Sequence, residues 1–191
     1  MDVEKGNELS DTELVQDALK DIRCFALLID RYKNPLARYI RRLGARDIHQ
    51  IEDILQEVFI KIYRTLNTYD ATRSFSSWTY RIAHNQTIDT FRSQTHQNIS
   101  LEAEPELENM LVTTLEDIYS AADRHIDQAH LARAIALLDQ KYRDVIILKY
   151  LEEKSYDEIA DILHKPPGTI AILLRRAKEK LRILLEAKYQ L

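Results

Sequence analysis

Apolar residues recur along this chain at three- and four-residue intervals, the periodicity of helices rather than the two-residue alternation of half-buried strands. Phe25, Leu28, Ile29, Tyr32, Leu36, Tyr39, Ile40 and Leu43 form one stripe. Ile51, Ile54, Leu55, Val58, Phe59, Ile62 and Leu66 form a second, and Trp78, Ile82 and Phe91 mark a third as core candidates. In the C-terminal part, Leu131, Ile135 and Leu138 make one stripe, and Tyr142, Val145, Ile146, Leu148 and Tyr150 another. A short helix follows around Ile159, Ala160 and Leu163, then a longer one with Ile170, Leu174, Ala177, Leu181 and Leu184 inward. The pattern predicts an all-α protein.

Capping and breaking residues divide these stripes. Ser10 can cap a helix that begins at Asp11, with Glu13 near its positive end. Pro35 should bend or divide the first long helix, and Gly44 closes it. Asn67 to Arg73 is a polar turn, after which Ser74 can cap the next helix. Ser155 and Glu158 have the spacing of a capping box, His164 to Gly168 form a tight turn, and Thr169 can help start the last helix. Two short helices around such a turn read as a helix-turn-helix whose second helix enters the major groove; a plain helical hairpin has similar spacing. The basic tail from Arg175 to Arg182 favours the DNA reading.

Between Ser93 and Arg124 the periodicity breaks around Pro105 and the acidic series Glu102, Glu104, Glu106, Glu108, Glu116 and Asp117. This stretch reads as a mostly irregular linker, either a plain tether or an acidic strand that lies in a partner's basic channel. The expected organisation is a disordered start over 1–10, a helical domain over 11–96, an acidic linker over 97–124 and a helical domain over 125–191. The fold class is therefore two small helical domains joined by a flexible linker.

Composition narrows the classes. Hydrophobic residues make up 45% of 191 residues, with only 3 Gly and 4 Pro, which suits helical cores. No apolar run reaches the ~18 residues of a membrane span, and the acidic N-terminus lacks a signal-peptide pattern. The single cysteine, Cys24, sits among apolar residues as a structural thiol and leaves no internal disulfide. These features favour the cytoplasm. A net charge of −4 argues mildly against a simple nucleic-acid coat protein, but charge is segregated. Basic residues cluster at Arg31, Lys33, Arg38, Arg41, Arg42 and Arg46 and again from Lys165 to Arg182, which suggests different surfaces for different partners. Arg38, Arg41 and Arg42 lie off the apolar stripe, where a solvated basic face is the plain reading.

Two faces carry candidate chemistry. Asp53, Gln56, Glu57 and Ile60 share one side of their helix, a pattern that fits either an ordinary solvated face or a docking surface for a basic helix. No His or third carboxylate falls in phase with them to hold a metal. On the following helix, Tyr80, His84 and Asn85 cannot all face inward with Trp78, Ile82 and Phe91. With Arg81 and Arg92 they make an outer surface suited to stacking bases and contacting phosphates. His84 reads as a contact residue, because no nucleophile or partner carboxylate is placed to use it. No phosphate-cradling glycine loop or nucleophile–base set appears, so neither a catalytic residue nor a cofactor is expected.

Three motifs carry a resemblance to a known family: RYKNPLARYIRRL, the pair IEDILQEVFIKIYR and SFSSWTYRIAHNQTID, and LLDQKYRDVIILKYLEEKSYDEIADILHKPPGTI. In this order and spacing they resemble regions two and four of bacterial RNA polymerase sigma factors, over about residues 22–92 and 126–186. The small size and missing third region resemble the extracytoplasmic-function type. The resemblance implies a non-catalytic subunit that binds core RNA polymerase, through the coiled coil of its largest subunit and its flap, together with promoter DNA. It implies that Asp53, Gln56 and Glu57, with Ile60 beside them, hold the coiled coil. Trp78, Tyr80, Arg81 and Asn85, with His84 and Arg92 on the same helix, match the segment that melts the minus-ten element and captures its non-template bases. Thr169, Ala171, Ile172, Arg175, Arg176 and Lys178 match the reader of the minus-thirty-five element. Control by an anti-sigma factor is also implied. The chain departs from the family's pattern at Ala171, Ile172 and Leu173, where basic or hydroxyl residues are usual. Apolar side chains can touch thymine methyls but cannot bond guanine edges, so this segment either reads an unusual element or contacts protein. The competing readings are a free-standing helix-turn-helix regulator with an N-terminal dimerisation or sensing module, and an enzyme or metal module.

Overall fold

A computed structural model describes residues 9–45, 47–95 and 128–186. The expected linker over 97–124, residues 1–8 of the N-terminal stretch and Arg46 lie outside the described residues. Eight α-helices occur among the described residues, and no strand does. The first four are α1 (Asp11–Lys20), α2 (Phe25–Leu43), α3 (Ile48–Thr65) and α4 (Phe75–Thr95). The last four are α5 (Gln128–Ala136), α6 (Gln140–Ile146), α7 (Tyr156–Ile162) and α8 (Pro167–Glu186).

Helices α1 to α4 pack on one another through the stripes visible in the sequence. Leu14, Leu28, Leu36, Tyr39, Ile40, Ile54 and Ile62 are almost completely buried at their junction. Ser10 caps α1 in a full capping box with Glu13, and Asp11 reaches across to Arg31 at 2.7 Å, tying α1 to α2. Asp47 caps α3 by accepting from the Gln50 amide at 2.8 Å. Cys24 is free and buried, as its apolar surroundings implied. Helix α2 is not divided at Pro35: it runs unbroken from Phe25 to Leu43. Tyr32, Leu36 and Tyr39 are buried around the proline, and their packing outweighs the ~3 kcal/mol that an interior proline costs.

The second domain packs α8 against α5, α6 and α7, with Ile135, Leu138, Val145, Leu148, Ile159, Ile170 and Leu174 inside. Helix α6 runs into a π-turn at Ile147–Leu151. The extra residue per turn rotates the chain there, and Tyr150 comes out 40% exposed rather than joining the inward stripe. The capping box of Ser155 and Glu158 starts α7. His164, at φ 51°, ends it in a left-handed conformation, and the Lys165 amide returns to the Ala160 carbonyl at 2.9 Å. That closes the tight turn between the two helices, and α8 begins at Pro167, a favoured first position.

Gly44 ends α2 at φ 119°, with its amide on the Arg41 carbonyl at 2.9 Å. Only glycine enters this region without steric cost, so Gly44→Ala should lower stability by about 1 kcal/mol in urea titration. Leu36→Ala, at a fully buried site, should lower it by about 2–5 kcal/mol. Equal losses from the two changes would contradict this description of α2.

Candidate nucleic-acid interface

The acidic–amide face of α3 stands as its periodicity indicated. Ile51, Ile54, Val58 and Ile62 turn inward, while Asp53, Gln56 and Glu57 are exposed and Ile60 is half-buried beside them. These three polar side chains make no hydrogen bond or ion pair among the described residues. They are held on a rigid, capped helix and remain available to a partner.

The outer face of α4 differs from its expectation. Trp78 is buried in an aromatic cluster, 5.5 Å from both Phe75 and Tyr69 between ring centroids. Asn85 and Arg92 are exposed and Arg81 is half-buried. Tyr80 and His84, however, are only 4% and 9% exposed. Both rings pack on Tyr39 of α2, while Ile82 and Phe91, expected in the core with Trp78, are only partly buried, so the inward side of α4 is not the one that the spacing indicated. In the folded chain, helix α7 and the segment before it cover this side of α4.

The cover is polar and specific. Tyr80 packs at a tilt 5.0 Å from Tyr39 and donates its hydroxyl to Glu152 at 2.8 Å. The Lys154 ammonium sits 4.3 Å over the Tyr80 ring and donates to Ser76 at 2.9 Å. Arg42 donates to the Leu151 carbonyl at 2.6 Å and pairs with Glu152 at 2.5 Å, so it is not the solvated residue that its position off the stripe implied. Asp161 accepts from Arg73 at 2.9 Å and from Arg81 at 3.4 Å. Burial and the neighbouring Glu152 carboxylate push the Tyr80 hydroxyl well above its ordinary range. It therefore stays a donor at any physiological pH.

Deeper in the same seam, His84 meets Tyr39 at 3.0 Å through Nδ1 and faces Asp144 at 3.8 Å through Nε2. The second distance is too long for a hydrogen bond. Burial pushes His84 down to about 4 and Asp144 up to about 7, each toward its uncharged form.

The second helix of the helix-turn-helix presents a different surface. Thr169, Ala171, Arg175, Arg176 and Lys178 are exposed, and Ile172 is 47% exposed, while Ile170, Leu174 and Ala177 anchor the helix beneath them. Lys178 lies 5.3 Å from the Tyr150 ring, and its hydrogen bond to that tyrosine raises its affinity for the proton. The candidate residues of α8 thus share one open side, whereas those of α4 are split between open and covered positions.

Sequence reasoning missed Arg42, Arg73, Glu152, Lys154 and Asp161 as participants. Charge segregation placed basic residues in the first domain, but no periodicity relates residues so far apart in the chain. Among the described residues, no cluster of His, Cys, Asp or Glu could hold a metal ion, and no helix is long and apolar enough to cross a membrane.

Comparison with known proteins connects both domains to one family. Residues 28–97 match the family Sigma-70 region 2, and residues 129–181 match Sigma-70, region 4. The chain is 36% identical over 168 residues to the ECF RNA polymerase sigma factor SigW of Bacillus subtilis, covering 85% of this chain and 89% of that one. It is 31% identical to the ECF RNA polymerase sigma-E factor of Haemophilus influenzae, over 91% of this chain and 94% of that one. Among solved structures it resembles CnrH in complex with the cytosolic domain of CnrY, with a TM-score of 0.67 and 25% identity over 93% of this chain and 97% of that one. It shares its fold with the sigma factor RpoE in complex with the anti-sigma factor NepR from Bartonella quintana, at TM-score 0.61 and 18% identity over 85% of this chain and 96% of that one.

The His84–Asp144 contact gives the seam a testable pH signature. Between about 4 and 6.5 the unfolded chain carries a proton on His84 that the folded chain lacks, so His84 makes stability rise with pH. Between 3.8 and about 7 the folded chain holds a proton on Asp144 that the unfolded chain lacks, so Asp144 makes stability fall with pH. The slopes oppose one another where they overlap. Asp144→Asn should leave stability climbing from acid to near-neutral pH, and His84→Gln should leave it falling, each by up to about 1.4 kcal/mol per pH unit. Parallel pH profiles of thermal unfolding for the two variants would rule this account out.

Proposed function

The chain belongs to the extracytoplasmic-function RNA polymerase sigma factors, and from that premise we propose how its residues divide the work of promoter-directed initiation. Asp53, Gln56 and Glu57 on α3, with Ile60 at their edge, hold the coiled coil of the polymerase's largest subunit. The observation that carries this is the exposed face itself: two carboxylates and an amide on a rigid helix, with no partner of their own among the described residues and suited to a basic helix. Asn85 and Arg92 on α4 contact the minus-ten element from the open side, and Tyr80, Arg81 and His84 join them once the cover is removed. Trp78 supports that surface from within the aromatic cluster. Opening DNA costs a few kcal/mol per unstacked step, and capture of extruded bases by aromatic and amide groups offsets it.

On α8, Arg175, Arg176 and Lys178 supply phosphate contacts, and Thr169 with Ala171 and Ile172 faces the base edges of the minus-thirty-five element. Ile172 has the chemistry of a thymine-methyl contact, so the element read here depends on shape and methyl groups more than on guanine. An anti-sigma factor controls the protein by masking the α3 face and the DNA-facing surfaces; masking either class would suffice to block initiation.

Run-off transcription with core polymerase and a promoter library should yield initiation that depends on this protein; its absence on every promoter would refute the assignment of function. Joint replacement Asp53→Ala, Gln56→Ala should weaken capture of core polymerase by about tenfold or more, with unchanged helix content. Unaltered capture would remove the α3 face from the polymerase interface. For α8, Arg176→Ala should reduce upstream protection on any promoter, whereas Ile172→Ala should relax preference at a thymine position. Footprints indifferent to Ile172 would remove that side chain from the base contacts.

A further inference from the structure

A cavity of about 250 Å³ lies among α5, the end of α6, the π-turn and α8. Its lining is aliphatic apart from two groups, Tyr150 and Lys178. The π-turn shapes one wall. The Glu152 amide reaches back to the Ile147 carbonyl at 3.0 Å, a five-residue step. A regular helix would turn Leu151 away from Ile146, whereas the wider turn keeps Ile146, Tyr150 and Leu151 on one side. Ile135 and Ile146 are buried and hold the walls in place. Lys178 is exposed at the mouth, 5.3 Å from the Tyr150 ring and hydrogen-bonded to that tyrosine.

This lining selects among ligands. The ammonium donates to the phenolic oxygen, which leaves the phenolic hydrogen and the remaining ammonium hydrogens for a further acceptor. Among the described residues no carboxylate lines the cavity, so nothing there competes for those donors or would hold a cation. Inorganic phosphate would leave the aliphatic walls unused, and an uncharged hydrocarbon would leave the donors unused. The volume exceeds the ~150 Å³ that holds a benzene ring and lies just under the ~300–1,000 Å³ of drug-sized sites, so the ligand is small.

We propose that this cavity binds a short aliphatic carboxylate, with its head on Lys178 and Tyr150 and its tail between α5 and α8. Occupancy engages a cation that α8 offers to DNA. Lys178 is exposed on the helix that carries Arg175 and Arg176, and a carboxylate held on it removes one phosphate contact. Ligand and DNA then oppose one another, each lowering the affinity for the other by the same factor. The effect on DNA rests on the reading of Lys178 as a phosphate contact; occupancy of the cavity does not.

The test titrates the full chain with sodium octanoate, followed by amide NMR in the absence of DNA. Saturable shifts should centre on Ile135, Tyr150 and Leu181, with half-saturation at about 1 mM or below. Acetate, which has the head without the tail, should give no saturable shift at about tenfold higher concentration. Lys178→Met, an exposed change that keeps the apolar stem, should bind octanoate about tenfold more weakly. Octanoate shifts that do not saturate or that scatter over the chain would overturn the site, and so would equal affinity in Lys178→Met. Fluorescence anisotropy with a labelled duplex of mixed sequence, at matched ionic strength, reads the second step. Saturating octanoate should weaken duplex binding about two- to threefold in the wild type and leave Lys178→Met unchanged. Octanoate that fills the cavity without weakening duplex binding would keep the site and overturn Lys178 as a phosphate contact.

Discussion

The arrangement of this molecule turns on a single carboxylate. Glu152 accepts from Arg42 at 2.5 Å and from Tyr80 at 2.8 Å, and so joins α2 and α4 of one domain to the segment that leads into α7 of the other. Its position follows from local chain geometry. The π-turn at Ile147–Leu151 ends α6 early, and Glu153 then adopts φ 54°, which turns the chain toward the α7 cap at Ser155. A regular helical ending would aim the side chain elsewhere. The irregular backbone is thus the device that delivers a charge into the seam, in keeping with the frequency of π-turns at functional positions.

Much of each domain was legible in the sequence, for physical reasons that apply locally. Stripes such as Ile51, Ile54, Val58 and Ile62 record which side of a helix is buried, whatever buries it. Caps at Ser10, Asp47 and Ser155 act over three residues and are readable at that range. Pro35 does not divide its helix, because the cost of an interior proline is local, whereas the packing of Tyr32, Leu36 and Tyr39 around it is tertiary. Tyr150 misled for a similar reason: a π-turn shifts phase by a residue and leaves no composition signature.

The seam was not legible, and α4 shows why. Tyr80 and His84 are buried on Tyr39 of their own domain, whereas Ile82 and Phe91, which the spacing placed in the core, are only partly buried. Periodicity can assign a residue to the outer face of a helix but cannot say whether that face meets water or another domain. A tyrosine, a histidine and arginines together are amphipathic enough for either. The three residues of α3 proposed for polymerase have no such cover, so at that face the sequence pattern and the exposure agree.

A surface that holds phosphates will, by the same donors, hold carboxylates. A chain that carries both therefore tends to bind itself, because groups of one chain meet at a high effective concentration. Ion pairs across the seam add a fraction of a kcal/mol to about 1 kcal/mol each at exposed sites. Free DNA at micromolar levels competes poorly against such an internal ligand. DNA held on polymerase is different, since docking through the α3 face would bring the promoter to α4 at a comparable effective concentration.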